Sequence, residues 1–311
     1  MKELEYLDVI NNTLCDSSLL GDDCAFLQEF NMYVTQDTLV EKVHFDLDTT
    51  TAYELGQKAV SVNLSDLAAS LSQPSYITIS LSLPKNINTD FVRDFYTGVN
   101  EICKEYNVKV AGGDLTGSKE VVVSVCAIGK KIFDVNVSRH YSKPDEVIVV
   151  TGTHGDSAGG LRLLSHGCRE NNSLIKKHLL PQPKIKESIE LAAVLQKEQI
   201  KNLAIMDTSD GLGDAIYKLS KGCGYVFDIN YKDIPVNNEL KRFFPDEYKD
   251  LVMWGGEDFE LIFTVEESIF DKLDKNKFFR IGSVSDKKFS DCDNEDFRVE
   301  FQEKSFKHFG D

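Results

Sequence analysis

Five short stretches place aspartates at or beside the ends of regular elements. They are "GDDCAFL" around Asp23, "TQDTLV" around Asp37, "NLSDLAAS" around Asp66, "AGGDLTG" around Asp114 and "MDTSDGLGDAI" around Asp207 and Asp210. Carboxylate and hydroxyl oxygens gathered at one place, without His or Cys, form a donor set for a hard cation such as Mg2+ rather than for zinc. Mg2+ bound by a few carboxylates keeps positions for phosphate oxygens, so such a cluster reads as a polyphosphate site carried on metal ions. Asp66 is the most informative of the set. Leu55, Ala59, Val62, Asp66 and Ala69 follow one helical stripe, which puts a carboxylate where the pattern wants an apolar side chain. A carboxylate there must pair with Lys or Arg, keep its proton, bind a cation or face water. Asp210 or Ser209 could cap a helix, but a cap explains one acid and not Asp207 three residues earlier. The two acids repel unless a cation lies between them. Asp37, with Thr35 and Thr38 nearby, also fits an ordinary strand-end turn, and Asp114 after two glycines fits a turn as well as a close backbone approach.

Positioning those acids takes alternating strands and helices, which predicts an α/β (α+β) fold in two α/β domains. "MYVTQDTLV" reads as a strand leading into a loop. "TTTAYELGQKAVSVNLSDLAASLS" reads as a helix with threonine capping candidates. "YITISLSL" alternates as a half-buried strand, and Phe91, Phe95, Val99, Ile102 and Tyr106 lie on one face of the next helix. "VKVAGGD" and "VVVSVCAIGK" follow as strands. A second set starts at "VIVVTG", with a glycine-rich turn and helix in "THGDSAGGLRLLS". It continues through the strand "LAIM", the helix "DGLGDAIYKLSKG" and the strands "YVFDIN" and "FELIFTV". The polar segment around Arg139 to Asp145 is the expected boundary, giving domains 1–138 and 139–311. Ends of strands from one sheet meet at a common edge, which is where scattered acids can converge.

Composition narrows the classes of function. A chain of 311 residues with 41% apolar residues suits soluble globular domains, and its longest apolar runs are about half of a bilayer span. The N-terminus carries acids from the third residue and no apolar signal core, so a cytoplasmic protein is expected. Seven cysteines without a C-x-x-C pair suggest neither a zinc site nor a disulfide framework. A formal charge of −16 argues against nucleic-acid backbones and anionic membranes, but not against a phosphate substrate bridged by divalent cations. P-loop, protein-kinase, G-x-S-x-G and H-E-x-x-H motifs are absent from the sequence.

In their order, "GDDCAFL", "DTLVEKVHF", "AVSVNLSDLAAS", "AGGDLTGS", "TGTHGDSAGGL", "MDTSDGL" and "GGEDFELIFT" resemble bacterial thiamine-monophosphate kinase. That family belongs to a superfamily with aminoimidazole ribonucleotide synthetase and selenophosphate synthetase, and the likeness runs from about Gly21 to the "FKHFG" tail. It implies transfer of the γ-phosphoryl of ATP to thiamine monophosphate, giving thiamine diphosphate in a direct in-line step. Such a transfer needs positioning and charge neutralisation more than covalent chemistry by the protein. Carried over by position, the resemblance makes Asp23, Thr35, Asp37, Asp66, Asp114, Asp207 and Asp210 ligands of several Mg2+ ions. Asp66, Asp114 and Asp210 would serve catalysis through the metal, with no covalent nucleophile. Gly113, Asp114, Arg139 and Ser209 would contact ATP, and His44, Glu257 and Phe306 would face the thiamine substrate. The resemblance also implies a homodimer in which the N-terminal sheets of two subunits pair, with helices on one side of the C-terminal sheet.

This chain departs from the family pattern at Gln36, where Ser or Thr is common, at Lys42, where glycine is usual, and in "RHYSKPDE", which bears on Arg139. Selenophosphate synthetase would want a reactive Cys in a glycine-rich N-terminal segment, and Cys15 in "NTLCDSS" lacks that setting. The hydrogenase-maturation branch would end in a cysteine tail. A non-catalytic nucleotide-binding regulator stays open from the residues alone, and a Ca2+ module lacks EF-hand spacing.

Overall fold

The computed structural model describes residues 2–169 and 172–291, together with position 304. Helix α1 (Lys2–Thr13) precedes the first sheet. That sheet has the order β1-β2-β5-β3-β4, with β1 Ala25–Leu27, β2 Met32–Val40, β3 Ser72–Leu83, β4 Lys109–Gly117 and β5 Val122–Lys131. All its pairings are antiparallel except β3 with β4, which are parallel and joined through the crossover helix α3 (Thr89–Glu105). Side-chain alternation sets the two faces. Ile77, Ile79 and Leu81 of β3, and Val123, Val125 and Ala127 of β5, are buried, whereas Tyr76 and Ser80 of β3 are exposed on the other face.

Helix α2 (Ala52–Ala69) lies against the buried face. Thr51 starts it with a full capping box: its hydroxyl accepts from the Glu54 N–H, and the Glu54 carboxylate accepts from the Thr51 N–H. Two glycines let α2 and α3 touch backbone to backbone. A Cβ on Gly56 would stand 2.0 Å from the Phe95 carbonyl, and one on Gly98 2.0 Å from that of Tyr53. The α3 stripe follows its spacing: Phe95, Val99, Ile102 and Tyr106 are buried, and Phe91 at its start is half-buried against the same core.

The second sheet has the order β6-β8-β10-β7-β11-β9. Its strands are β6 Asn136–Val137, β7 Val147–Thr151, β8 Asn202–Asp207, β9 Tyr225–Ile229, β10 Leu261–Val265 and β11 Phe278–Lys288. It thus takes two residues from before Arg139. Helices cover both of its faces, which corrects the expected one-sided arrangement. Val147, Val149, Leu203, Ile205, Leu261 and Phe263 pack into a core shared with α2 and with α6 (Ile185–Lys197). Ile148, Val150, Ala204, Met206 and Ile262 face the opposite way, against α7 (Leu212–Cys223) and α9 (Tyr248–Trp254). The reason is that β7 and β10 are buried at every position, and a strand apolar on both sides needs cover on both. Helices α4 (Asp156–Ser165), α5 (Ser173–Leu179), α8 (Asn238–Phe243) and α10 (Glu267–Phe270) complete the second half. Helices α2 and α6 are therefore sandwiched between the two sheets, and the acids collect along that seam. None of the described helices is long and apolar enough to cross a membrane.

Candidate active site

Asp23 precedes β1, Asp66 lies in the last turn of α2 and Asp207 ends β8. Each offers a carboxylate oxygen within 4.8 Å of the other two. Three elements distant in sequence thus bring three acids to one point. Asp207 is 1% exposed, and Asp23 and Asp66 are partly buried. The Thr35 hydroxyl donates to Asp66 Oδ2 at 2.5 Å, and the Ser65 hydroxyl donates to Asp207 Oδ2 at 2.6 Å. Arg139 supplies a positive charge, with Nη2 2.5 Å from Asp23 Oδ1. Its Nε is buried without a hydrogen-bond partner, and its N–H donates to Asp22 at 2.9 Å.

One arginine does not balance the three carboxylates. Burial raises the Asp66 carboxyl well above the usual range, and Asp37, Asp207 and Asp23 push it further. Asp207 is pushed up to about 7, by burial first and then by Asp23. Asp23 is raised by burial, against the pull of Arg139. An oxygen-only set whose members resist ionising together is what a divalent cation relieves, so these residues fit Mg2+.

The other acids on the sequence's roster divide. Thr35 and Asp37 share a face of β2, and the Asp37 N–H donates to Asn63 Oδ1 at 3.0 Å. Gln36 between them points to the opposite face, where its amide donates to the Ser124 hydroxyl at 3.2 Å. Its replacement of Ser or Thr therefore leaves the acid cluster unchanged. Asp210 does not cap α7, and neither does Ser209: the N-cap is Gly211, at φ 109°, without a side-chain cap. Asp210 instead pairs with Lys218 at 2.8 Å, and Lys218 also holds Asp214 at 2.7 Å. Asp207 and Asp210 consequently face different partners rather than each other. Gly113 and Asp114 lie on the edge strand β4, which is exposed along its whole length, and Asp114 is not among the three converging carboxylates.

Beside the cluster lies a cavity of ≈ 580 Å3, between the first-sheet side (Asp37, His44) and the second (Ser157, Asp210, Glu257). His44 Nδ1 accepts from the Val40 N–H at 3.1 Å. Glu257 has a left-handed backbone, φ 67°, and its N–H donates to the Ser209 carbonyl at 2.6 Å. Such a conformation in a non-glycine residue costs free energy and persists where the surroundings impose it, commonly at binding sites. Phe306 lies outside the described residues.

Sequence reasoning missed two residues here. Lys58, 1% exposed, sends Nζ to Glu257 Oε2 at 2.9 Å and to the His44 carbonyl at 3.2 Å. His178 of α5 places Nδ1 3.3 Å from the same Oε2. A signal for Lys58 was present, since it stands between Leu55 and Val62 on the stripe that exposed Asp66. Nothing local marks His178.

The family described as "AIR synthase related protein, N-terminal domain" matches residues 21–130. The thiamine-monophosphate kinase of Buchnera aphidicola subsp. Acyrthosiphon pisum is 35% identical over 93% of this chain and 92% of its own length. That of Bacillus subtilis is 32% identical over 82% of this chain and 79% of its own. Among solved structures, "AaThiL complexed with AMPPCP and TMP" superposes with a TM-score of 0.83 at 31% identity, covering 93% of each chain. Sequence likeness across almost the whole chain and the shared architecture lead to one conclusion: the chain belongs to the thiamine-monophosphate kinase family.

Proposed function

We propose that this protein transfers the γ-phosphoryl group of ATP to the phosphate of thiamine monophosphate, forming thiamine diphosphate and ADP. The observation that carries the reading is the meeting of Asp23, Asp66 and Asp207 beside a cavity that also holds His44, Asp210 and Glu257. A polyanion binds among acids only through cations, and a phosphoryl transfer between two phosphates asks for neutralisation and alignment. Mg2+ would be held by Asp23, Asp66 and Asp207, with Asp37 and Asp210 at the cavity edge, and would supply charge neutralisation on the phosphates. Thr35 and Ser65 orient two of those carboxylates through their hydroxyls. Arg139, its Nε without a protein partner, is suited to a phosphate oxygen of ATP beside Ser209. Glu257 and His44 face the acceptor, a carboxylate suiting its cationic thiazolium or its aminopyrimidine.

Gly113 and Asp114 would complete the nucleotide site through a homodimer in which two first sheets pair. The open outer face of that sheet, with Tyr76 and Ser80 exposed, and the exposed β4 support this arrangement. The cytoplasm, where ATP and thiamine phosphates are available, is the expected compartment. The direct test offers several phosphate acceptors with ATP, with and without EDTA, and measures ADP and thiamine diphosphate. Mg2+-dependent product from thiamine monophosphate is expected, and Asp66→Asn or Asp210→Asn should lower the rate about 10²–10³-fold or more with the fold intact. Near wild-type rates in both variants would refute the assigned roles.

A further inference from the structure

Glu257 is the point where side chains from two separate helices converge on one oxygen atom. Lys58 reaches Oε2 from the middle of α2 at 2.9 Å. His178 reaches the same Oε2 from α5 at 3.3 Å, and its Nδ1 also lies 3.1 Å from the Ser157 hydroxyl on α4. The Glu257 N–H is fixed to the Ser209 carbonyl. Oε2 thus accepts from Lys58 and has the His178 ring against it, whereas Oε1 takes no hydrogen bond among the described residues. Lys58 is itself anchored to the carbonyl of His44, so the two residues that face the acceptor are tied together by one ammonium group.

Resting on the function proposed above, we infer that Lys58 and His178 are positioning residues. They clamp Oε2 of Glu257 so that Oε1 is presented to the cavity as the recognition point for a positively charged or N–H-bearing ring of the acceptor.

The electrostatics agree with that geometry. Burial alone would raise the Glu257 carboxyl, but the Lys58 ammonium outweighs it and brings it below its ordinary range. His178 is held down to about 4 by burial and by Lys58, so at neutral pH it is a neutral imidazole, fixed by its hydrogen bond with the Ser157 hydroxyl and set against Oε2. Neither residue reaches the three clustered aspartates, so the clamp acts on the acceptor side and leaves nucleotide binding alone.

The experiment measures KM for thiamine monophosphate, KM for ATP and kcat in the full chain carrying Lys58→Met, Glu257→Gln, the double substitution, or His178→Gln. Lys58→Met should raise the acceptor KM on the order of 10- to 100-fold, the worth of a charge-assisted hydrogen bond. KM for ATP and kcat should stay within about threefold, because uniform acceptor binding is what is lost. The double variant should be no worse than Glu257→Gln alone, since a clamp without its carboxylate has nothing left to hold. His178→Gln should raise the acceptor KM in the same direction. A Lys58→Met that disturbs ATP and acceptor alike, or whose effect multiplies in full with that of Glu257→Gln, overturns the inference. If Lys58→Met does not fold, the double variant, which buries no unpaired carboxylate, and His178→Gln decide. Wild-type protein that makes no thiamine diphosphate would remove the functional reading and this inference together. An active wild type with unchanged acceptor KM in Lys58→Met and His178→Gln would remove the inference alone.

Discussion

Asp207 and Glu260 are each 1% exposed; Asp207 ends β8 and Glu260 immediately precedes the neighbouring β10, and the Thr208 N–H donates to the Glu260 carbonyl at 2.9 Å. Their carboxyls are nevertheless driven in opposite directions. Asp207 is pushed up to about 7, whereas burial of Glu260 is outweighed by Lys177 and Lys184 and its carboxyl falls below the usual range. The partners explain the difference. Glu260 Oε1 receives Lys177 and, at 3.0 Å, Lys184, while Oε2 accepts from the Thr151 hydroxyl at 2.7 Å. Asp207 has a serine hydroxyl and two more acids. Burial therefore does not distinguish a structural acid from a functional one; the identity of the groups around it does. Glu260 is an acid the fold has completed, and the aspartate cluster is one that a ligand completes.

The largest effect expected from this contrast is on the completed side. Glu260→Gln strips the anion from two largely buried lysines and should destabilise the protein by about 3–5 kcal/mol. Urea unfolding measures it, and a loss below about 1 kcal/mol would mean the lysines find water. On the other side the sign reverses. Asp207→Asn in EDTA at pH 8 should stabilise the protein by about 1–3 kcal/mol, since it removes a charge that burial and Asp23 oppose. Between the unfolded value near 4 and the folded value near 7 the native state holds a proton that the unfolded chain has lost. Wild-type stability from this group therefore falls as pH rises through that window. The gap between variant and wild type should shrink as the pH is lowered from 8 to 5.5. A constant gap, or a destabilised variant at pH 8, would show that Asp207 is as well neutralised as Glu260.

The contrast also marks what the sequence could carry. Periodicity exposed Asp66 because Leu55, Ala59, Val62 and Ala69 are all buried around it, and the Thr51 cap lay at the start of the same helix. Motif order indicated the family and the acids. Counter-charges were not legible, because they arrive from elsewhere in the chain. Lys218 reaches Asp210 from two turns further along α7, Arg139 reaches Asp23 across more than a hundred residues, and Lys58 and His178 meet at Glu257 from different helices. The two-sided cover of the second sheet escaped for a similar reason. Its burial depends on α2, an element of the first half, lying against β8 and its neighbours.

Exposed charges form a third case, and they should count least. Lys42 pairs with Asp46 at 2.6 Å and reaches Asp48 at 3.7 Å, all three well exposed to solvent, where screening leaves little net gain. Its backbone matters more. Lys42 has φ 65°, a left-handed conformation in which glycine, the usual family residue here, is relaxed and any Cβ is strained. The two terms can be separated. Lys42→Gly relieves the backbone while losing the ion pair, and it should raise Tm by roughly 1–2 °C. Lys42→Ala loses the ion pair and keeps the strain, and it should lower Tm by a similar or smaller amount. Thermal unfolding of both variants beside the wild type gives the order. If alanine and glycine prove equal, the left-handed backbone carries no cost at this position. An alanine loss as large as that of Glu260→Gln would show the exposed pair to be as tightly coupled as the buried one.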